Sequence, residues 1–280
     1  MKRRRDLLSI LLGALVRLAA ATAALIILFL VGYILYKGVP NLTPSLFSWK
    51  YNSENVSLVP ALINTVIMTA LALLIAGPIG IFSAVYLSEY ARRGSKLVKV
   101  IRMASEVLTG IPSIVYGLFG LLFFVSTMKW GYSLLAGTFT LTIMILPLIM
   151  RTTEEALLSV PDAYREGSFG LGAGRLRTVF AIVLPAAVPG ILAGVILAIG
   201  RIVGETAALI YTAGTTPEVP SSLFNSTRTL SVHMYALSSE GLYINQTYAT
   251  AVVLLVLVFI INACSSWLAK HMAGGKYGKN

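Results

Sequence analysis

Cysteine is nearly absent from this chain. The lone Cys264 lies in an apolar run, which excludes disulfides and cysteine-built metal sites. Histidine is almost as scarce. His233 and His271 stand apart, no His/Cys/Asp group has metal-ligand spacing, and both histidines read as solvated surface residues. There is no GxxxxGK[ST] loop, so the chain does not hydrolyse ATP by that route. No Ser/His/Asp arrangement rises above chance. Charge is also short: 12% of residues are charged, against roughly 25% in a soluble domain. The charge present is mostly of one sign, with net +11. The basic residues form no groove-like patch. They sit between hydrophobic runs, which argues against nucleic acid and for a membrane-spanning chain.

Hydrophobic residues make up 57% of the sequence. A helix needs about 20 apolar residues to cross the hydrocarbon core. Six segments meet or approach this: Val16 to Tyr36, Val59 to Leu87, Val107 to Val125, Leu134 to Met150, Ala186 to Ala213, and Tyr248 to Leu268. The basic start of the chain has no small-residue cleavage site, so the first segment is expected to stay as an uncleaved span. Six spans place both termini on one side. That side carries Lys2 to Arg5, Arg92, Arg93, Arg102, Arg151, Arg175 and Arg177, while the other has only Lys37, Lys50, Lys129 and Arg228. The positive-inside bias puts both termini in the cytoplasm. The expected fold is an all-α membrane protein. Residues 1–58 hold the N-terminal tail, first span and first external loop; residues 59–280 hold the core. Gly214 to Thr247 is then an external loop, read either as a lid or protein contact or as a passive connector.

The polar segment from Arg151 to Pro185 is cytoplasmic on this topology. Pro161 suits the first position of a helix, with Asp162 and Glu166 near its positive end. Gly170, Gly172 and Gly174 interrupt that helix. A second helix is expected from Arg175, with Leu176, Val179, Phe180 and Val183 at helical spacing and Pro185 and Pro189 leading into the fifth span. A short amphipathic helix, a hinge and a helix feeding a span together form a lever for a soluble partner.

Glu166-Gly167-Ser168, three residues, Gly172, nine residues, Ile182, one residue and Leu184-Pro185 resemble the docking loop of permease subunits of binding-protein-dependent ABC importers. The family's two alanines are replaced by Gly167 and Ser168, both small. The resemblance implies a type I importer permease bundle of six transmembrane helices. It also implies that Glu166, Gly167, Ser168 and Gly172, with Tyr164, Arg165, Phe169 and Leu171, dock an ATPase subunit.

Arg201 and Glu205 lie within the fifth expected span. An intramembrane Arg costs roughly 2.5–3.5 kcal/mol even on the lenient insertion scale, so a span that keeps one faces a cavity or a partner charge. Four residues apart, the two are expected on one helix face. Arg201 is then an anion contact in the substrate pathway, balanced by Glu205 when empty; a structural ion pair between subunits is the alternative. Glu106 reads as an interfacial residue. Gly77, Gly80, Gly110 and Gly117 read as close helix contacts, while Pro78 and Pro112 are left open.

The strings ETAALIYTAG after GRIVG, EVLTGIPSIVYGLFG, and RTTEEALLSVPDAYREGSFGLGAGRLRT are similar to permease subunits of bacterial phosphate importers. That resemblance implies phosphate as substrate, a location in the bacterial inner membrane, a second related permease subunit, an ATPase dimer that uses ATP, and an external phosphate-binding protein. No cofactor or metal is expected in the chain itself. An ion-coupled secondary transporter or channel for an anion is the competing reading. It calls for more polar residues at mid-membrane than Arg201 and Glu205 supply. A membrane enzyme or scaffold lacks a catalytic cluster.

Overall fold

A computed structural model describes residues 7–92 and 94–274, and every regular element among them is helical. The expected basic residues Lys2 to Arg5 and Arg93, and the side chain of His271, lie outside the described residues. Among the described residues five helices are long and apolar enough to cross a membrane, and a bent pair brings the number to six if it is counted as one span.

The first span is α1 (Leu7–Gly38). Its most apolar stretch buries nothing within the chain. It meets only α11 (Ile244–Gly274) closely, where Tyr33 and Tyr248 meet edge-on at 5.9 Å and Gly38 lies against the Tyr248 backbone. Most of its leucines and isoleucines between Ile10 and Leu35 are therefore exposed on the outside of the chain, as a lipid-facing span requires.

The central pair is α2 (Val59–Val85) and α5 (Leu134–Leu158). Met68, Ala72 and Ala76 of α2 pack on Leu141, Met144, Ile145 and Ile149 of α5, and Ala198 and Ile202 of α8 (Leu184–Val203) close the cluster. Lipid is as apolar as these side chains, so close packing rather than water exclusion holds them together. Small residues make that possible. Gly190 and Gly194 of α8 lie against Ala156 and Thr152 of α5, and Gly80 lies against Ile149. Of the other glycines expected at helix contacts, Gly117 meets the Ala208 backbone, whereas Gly77 and Gly110 face open space.

Three expectations about spans need correction. The third span is not one helix: α3 (Lys96–Gly110) and α4 (Ser113–Gly120) are bent by 101°. Pro112 has no N–H and forces the preceding residue out of the helical region, and Ile111 is extended at φ −70°, ψ 132°. A π segment, Leu121–Thr127, completes this crossing. The fourth span runs beyond Met150 to Leu158, so the cytoplasmic segment begins as helix. The fifth ends at Val203, not Ala213. Gly204 weakens the helix, and a separate turn α9 (Ala207–Ile210) follows.

The external loop is also more ordered than a connector. It holds α10 (Leu230–Glu240), with Leu230, Val232 and Leu237 fully buried. His233 is buried too, which corrects its reading as a solvated residue. Position alone does not say which face of a loop helix turns inward. Burial, and then the charge of Arg228, push its imidazole down from the usual 6.5 to about 3.

The unfolded chain takes a proton on His233 as pH drops below about 6.5, whereas the folded chain keeps it neutral to about pH 3. Stability is therefore full above pH 6.5 and is lost as pH falls from there toward 3, by on the order of 2 kcal/mol at about pH 5. Thermal melts across this range measure the loss. His233→Gln flattens the dependence, and an unchanged slope in that variant assigns the effect to another group.

Candidate functional site

The segment expected to dock a partner is a short helix, α6 (Asp162–Gly170), preceded by Pro161. It ends in a tight turn in which Gly172 takes φ +81°, a conformation that costs a residue with a Cβ. The Gly172 and Ala173 amides donate to the carbonyls of Phe169 and Ser168 at 2.9 and 3.1 Å, satisfying the helix end. Helix α7 (Arg175–Thr178) follows and runs through a π segment, Val179–Val183, into α8, so Arg175–Val203 is one continuous helical rod. The glycine turn thus falls where the spacing implied a hinge, and an unbroken helical stretch follows it.

The residues expected at the ATPase contact divide into two groups. Tyr164, Glu166, Gly167, Phe169, Leu171 and Gly172 are exposed, Leu171 at 91%. Ser168 is buried and its hydroxyl pairs with that of Thr178 at 2.8 Å, locking α6 against α7. Arg165 also turns inward. Its Nη2 meets Glu89 Oε1 at 2.6 Å in a pair whose side chains are 15% and 8% exposed. It also donates to the carbonyls of Leu157 (2.9 Å) and Val160 (2.8 Å) and reaches Asp162 at 3.2 Å. Glu89 lies in the π turn Tyr86–Tyr90 that ends the second span. Beside it, Arg175 lies over the Tyr90 ring at 5.3 Å. Arg165 thus joins α6 to the ends of α2 and α5. Sequence reading missed Glu89, because 76 residues separate the partners and nothing local couples them.

The rod's expected apolar face is half used. Val179 and Val183 are buried, while Leu176 and Phe180 are exposed beside Arg177 and Ala181 along a shallow groove. Together with Phe169 and Leu171 they leave the cytoplasmic end with unpartnered apolar surface.

Arg201 lies in the last turn of α8, where the helix's negative end favours a cation. It lines a cavity of about 510 Å³ with Leu148, Ala193, Ile196, Leu197, Gly200 and Asn262. Among the described residues no carboxylate comes within ion-pair distance of it. The expectation that Glu205 shares its helix face does not hold, because the helix stops between them. Glu205 is instead 8% exposed and accepts from the Ala208 amide at 3.0 Å, capping α9. Its backbone carbonyl accepts from Ser231 at 2.6 Å, which ties the external loop to this turn. Arg201 is therefore free to meet an anion without first breaking a carboxylate pair.

A second charged cavity, about 260 Å³, lies toward the cytoplasm between α3 and α5. Arg102 pairs with Glu154 at 2.6 Å and Arg151 with Glu155 at 3.0 Å, and Glu106 lines the same space. Glu106 is thus part of a charged mouth and not a lone interfacial residue. The Arg151–Glu155 pair was legible as an i, i+4 spacing; Arg102–Glu154 was not.

A helical bundle with a broken span, an exposed short helix on the expected cytoplasmic side and a continuous helical rod from its turn to Arg201 fits the membrane subunit of a transporter. The chain belongs to the family of binding-protein-dependent transport system inner membrane components, which matches residues 76–274. It is 36% identical over 270 residues to the probable ABC transporter permease protein YqgI of Bacillus subtilis, covering 90% of this chain and 91% of that one. It is 34% identical to the phosphate transport system permease protein PstA of Haemophilus influenzae, covering 84% of each, and 44% identical to PstA of Pasteurella multocida, covering 63% of each. In fold it is similar to a bacterial importer of alginate (TM-score 0.65, 17% identity, 90% of this chain and 95% of that one). It also resembles the MetNI methionine ABC transporter (TM-score 0.61, 21% identity, 77% and 95%).

Removing one member of a buried ion pair leaves the other charge uncompensated, at a cost on the order of 3 kcal/mol. Glu89→Gln is expected to detach α6 from α2. ATP hydrolysis by the assembled complex then continues while substrate uptake falls at least tenfold. Parallel hydrolysis and uptake assays test this, with the Glu89→Arg/Arg165→Glu exchange expected to restore part of the coupling. Uptake and hydrolysis unchanged in Glu89→Gln would remove the pair from the coupling path.

Proposed function

We propose that this chain is the permease subunit of an ATP-driven, binding-protein-dependent phosphate importer and forms half of its translocation pathway. The observation that carries this reading is the exposed docking helix joined by a rigid rod to Arg201. The two relatives named as phosphate transport permeases supply the substrate class. A guanidinium offers a planar fork of donors that matches two oxygens of phosphate, and Arg201 keeps that fork without a carboxylate partner.

In this reading an ATPase dimer grips Tyr164, Glu166, Gly167, Phe169, Leu171 and Gly172. Arg165 and Ser168 act from behind as positioning residues. ATP binds only the partner, and this chain contributes no catalytic residue and no cofactor. A second, related permease completes the pathway, and an external phosphate-binding protein delivers the ion near 214–247. Closure of the ATPase pair pushes α6, the rod turns with it, and Arg201 changes its access. Glu205 serves the pathway by holding the turn beneath Arg201 and makes no contact with the ion.

Glu166→Lys reverses the charge on the exposed face of α6. It is expected to abolish co-purification with the ATPase subunit while the permease still reaches the membrane; retained association would reject α6 as the dock. Arg201→Gln is expected to reduce phosphate uptake in a reconstituted complex at least a hundredfold with assembly intact. Normal uptake by that variant rejects Arg201 as a pathway residue.

A further inference from the structure

The external loop buries a cation that forms no ion pair with any carboxylate among the described residues. Arg228 is 4% exposed. Its Nη1 makes one long hydrogen bond, to the Thr215 carbonyl at 3.4 Å, and its Nε and Nη2 meet no acceptor at good geometry, although the Tyr51 side chain acts on the guanidinium as a hydrogen-bond partner. The guanidinium lies over the Tyr51 ring at 4.9 Å, and the same ring meets His233 edge-on, with centroids 6.1 Å apart. His233 is fully buried; neither ring nitrogen makes a hydrogen bond of good geometry, and the Val56 backbone is the one polar group that acts on the ring as a hydrogen-bond partner. Asn64, also fully buried, donates through Nδ2 to the carbonyls of Glu218 and Arg228, and its Oδ1 has no donor.

A buried charge is kept only where something pairs with it, and a buried polar atom left unmet is destabilising. Here several unmet groups gather around one aromatic ring. The ring face offsets part of the cation's charge, but it cannot use the in-plane donors at Nε and Nη2. Those two donors form the edge of the fork that takes two oxygens of an oxyanion. The neighbouring imidazole, held neutral, offers one N–H donor and one acceptor nitrogen. Charges of both signs lie around the cluster: Glu240 acts on Arg228 from α10, and Lys50 and Glu218 line the adjoining cavity. That cavity, about 400 Å³, is also lined by Tyr51, Trp49, Pro60 and Val219. Tyr51 is thus shared between the open cavity and the buried cluster.

We propose that Arg228 and His233 form a binding site for a partly protonated tetrahedral oxyanion on the external side of the permease, with Tyr51 as its door. Two oxygens sit on the Arg228 Nε and Nη2 donors, and the anion's own O–H is taken by the acceptor nitrogen of His233. A hydrogen phosphate ion has that proton to give and sulfate does not, so the site discriminates by protonation as well as by charge. The proposal rests on the phosphate reading for the identity of its ligand. Three residues beyond Arg228, Ser231 holds the turn that follows Arg201. The site is therefore a receiving station, placed between the external surface and the pathway cation.

The test uses the assembled complex in detergent, without the external binding protein, in an Arg201→Gln background that removes the pathway contact. Inorganic phosphate is titrated and binding is followed calorimetrically near pH 7. Phosphate is expected to bind in this background, to bind at least tenfold more weakly with Arg228→Gln added, and to show an intermediate loss with Arg228→Lys, which keeps the charge without the fork. Sulfate is expected to bind at least tenfold more weakly than phosphate, and His233→Gln is expected to shrink that preference. If Arg228→Gln fails to assemble, Arg228→Lys and His233→Gln decide the question, and unchanged phosphate binding in both overturns the site. Absence of phosphate binding before Arg228 is altered also overturns it. Phosphate uptake by the complex that retains Arg201, with no Arg228-dependent binding in the Arg201→Gln background, loses the site and keeps the function. Arg228-dependent binding in that background, with no phosphate uptake by the complex that retains Arg201, keeps the site and loses the function.

Discussion

The guanidinium of Arg165 holds three chain segments at one point. It pairs with Glu89 at the end of α2, takes the carbonyls of Leu157 and Val160 at the end of α5, and belongs to α6 itself. Helix ends leave carbonyls without intrahelical partners, and a cation with a fixed fork of donors can satisfy several at once. Because the pair is sheltered from water, losing either member leaves a charge uncompensated. The docking helix is therefore not a loose flap on the glycine turn. It is fixed to the cytoplasmic ends of two core helices, and the continuous rod Arg175–Val203 begins just beyond its glycine turn.

The interruptions in the membrane region come together in space. The break at Ile111–Pro112 sets the direction of α4, and the break at Gly204–Thr206 sets the position of α9. Gly117 of α4 lies against the Ala208 backbone of α9, and a Cβ at that glycine would stand 2.8 Å from the Ala208 Cα. Irregular backbone is tolerated at membrane depth only where protein or a water-lined cavity satisfies it. Here Glu205 caps α9 and Ser231 takes the Glu205 carbonyl. The external loop thus reaches inward to stabilise the turn below Arg201, which explains why α10 is packed into the protein instead of lying free on its surface.

Two arginines without carboxylate partners, Arg201 and Arg228, lie on either side of that turn in the chain. One borders a cavity at the end of α8, and the other is buried beneath Tyr51. At the cytoplasmic mouth, by contrast, Arg102 and Arg151 are each paired with a glutamate. The contrast separates charges that hold structure from charges left available to a ligand.

The apolar spans, the short helix after Pro161 and its glycine turn were all legible in the sequence, because hydrophobic length and glycine placement act over a few neighbouring residues. The start of α7 at Arg175 and the positive φ of Gly172 fall where the spacing placed them. What only the tertiary structure decided depends on partners far apart in the chain: Glu89 for Arg165, Ser231 for Glu205, Tyr51 for Arg228, and the burial of His233. Periodicity says that a residue lies on a helix, but which neighbour covers it is set by how helices cross. The inward turn of Arg165 and the end of α8 before Glu205 were therefore decided by packing and hydrogen bonding between segments, which no local pattern encodes.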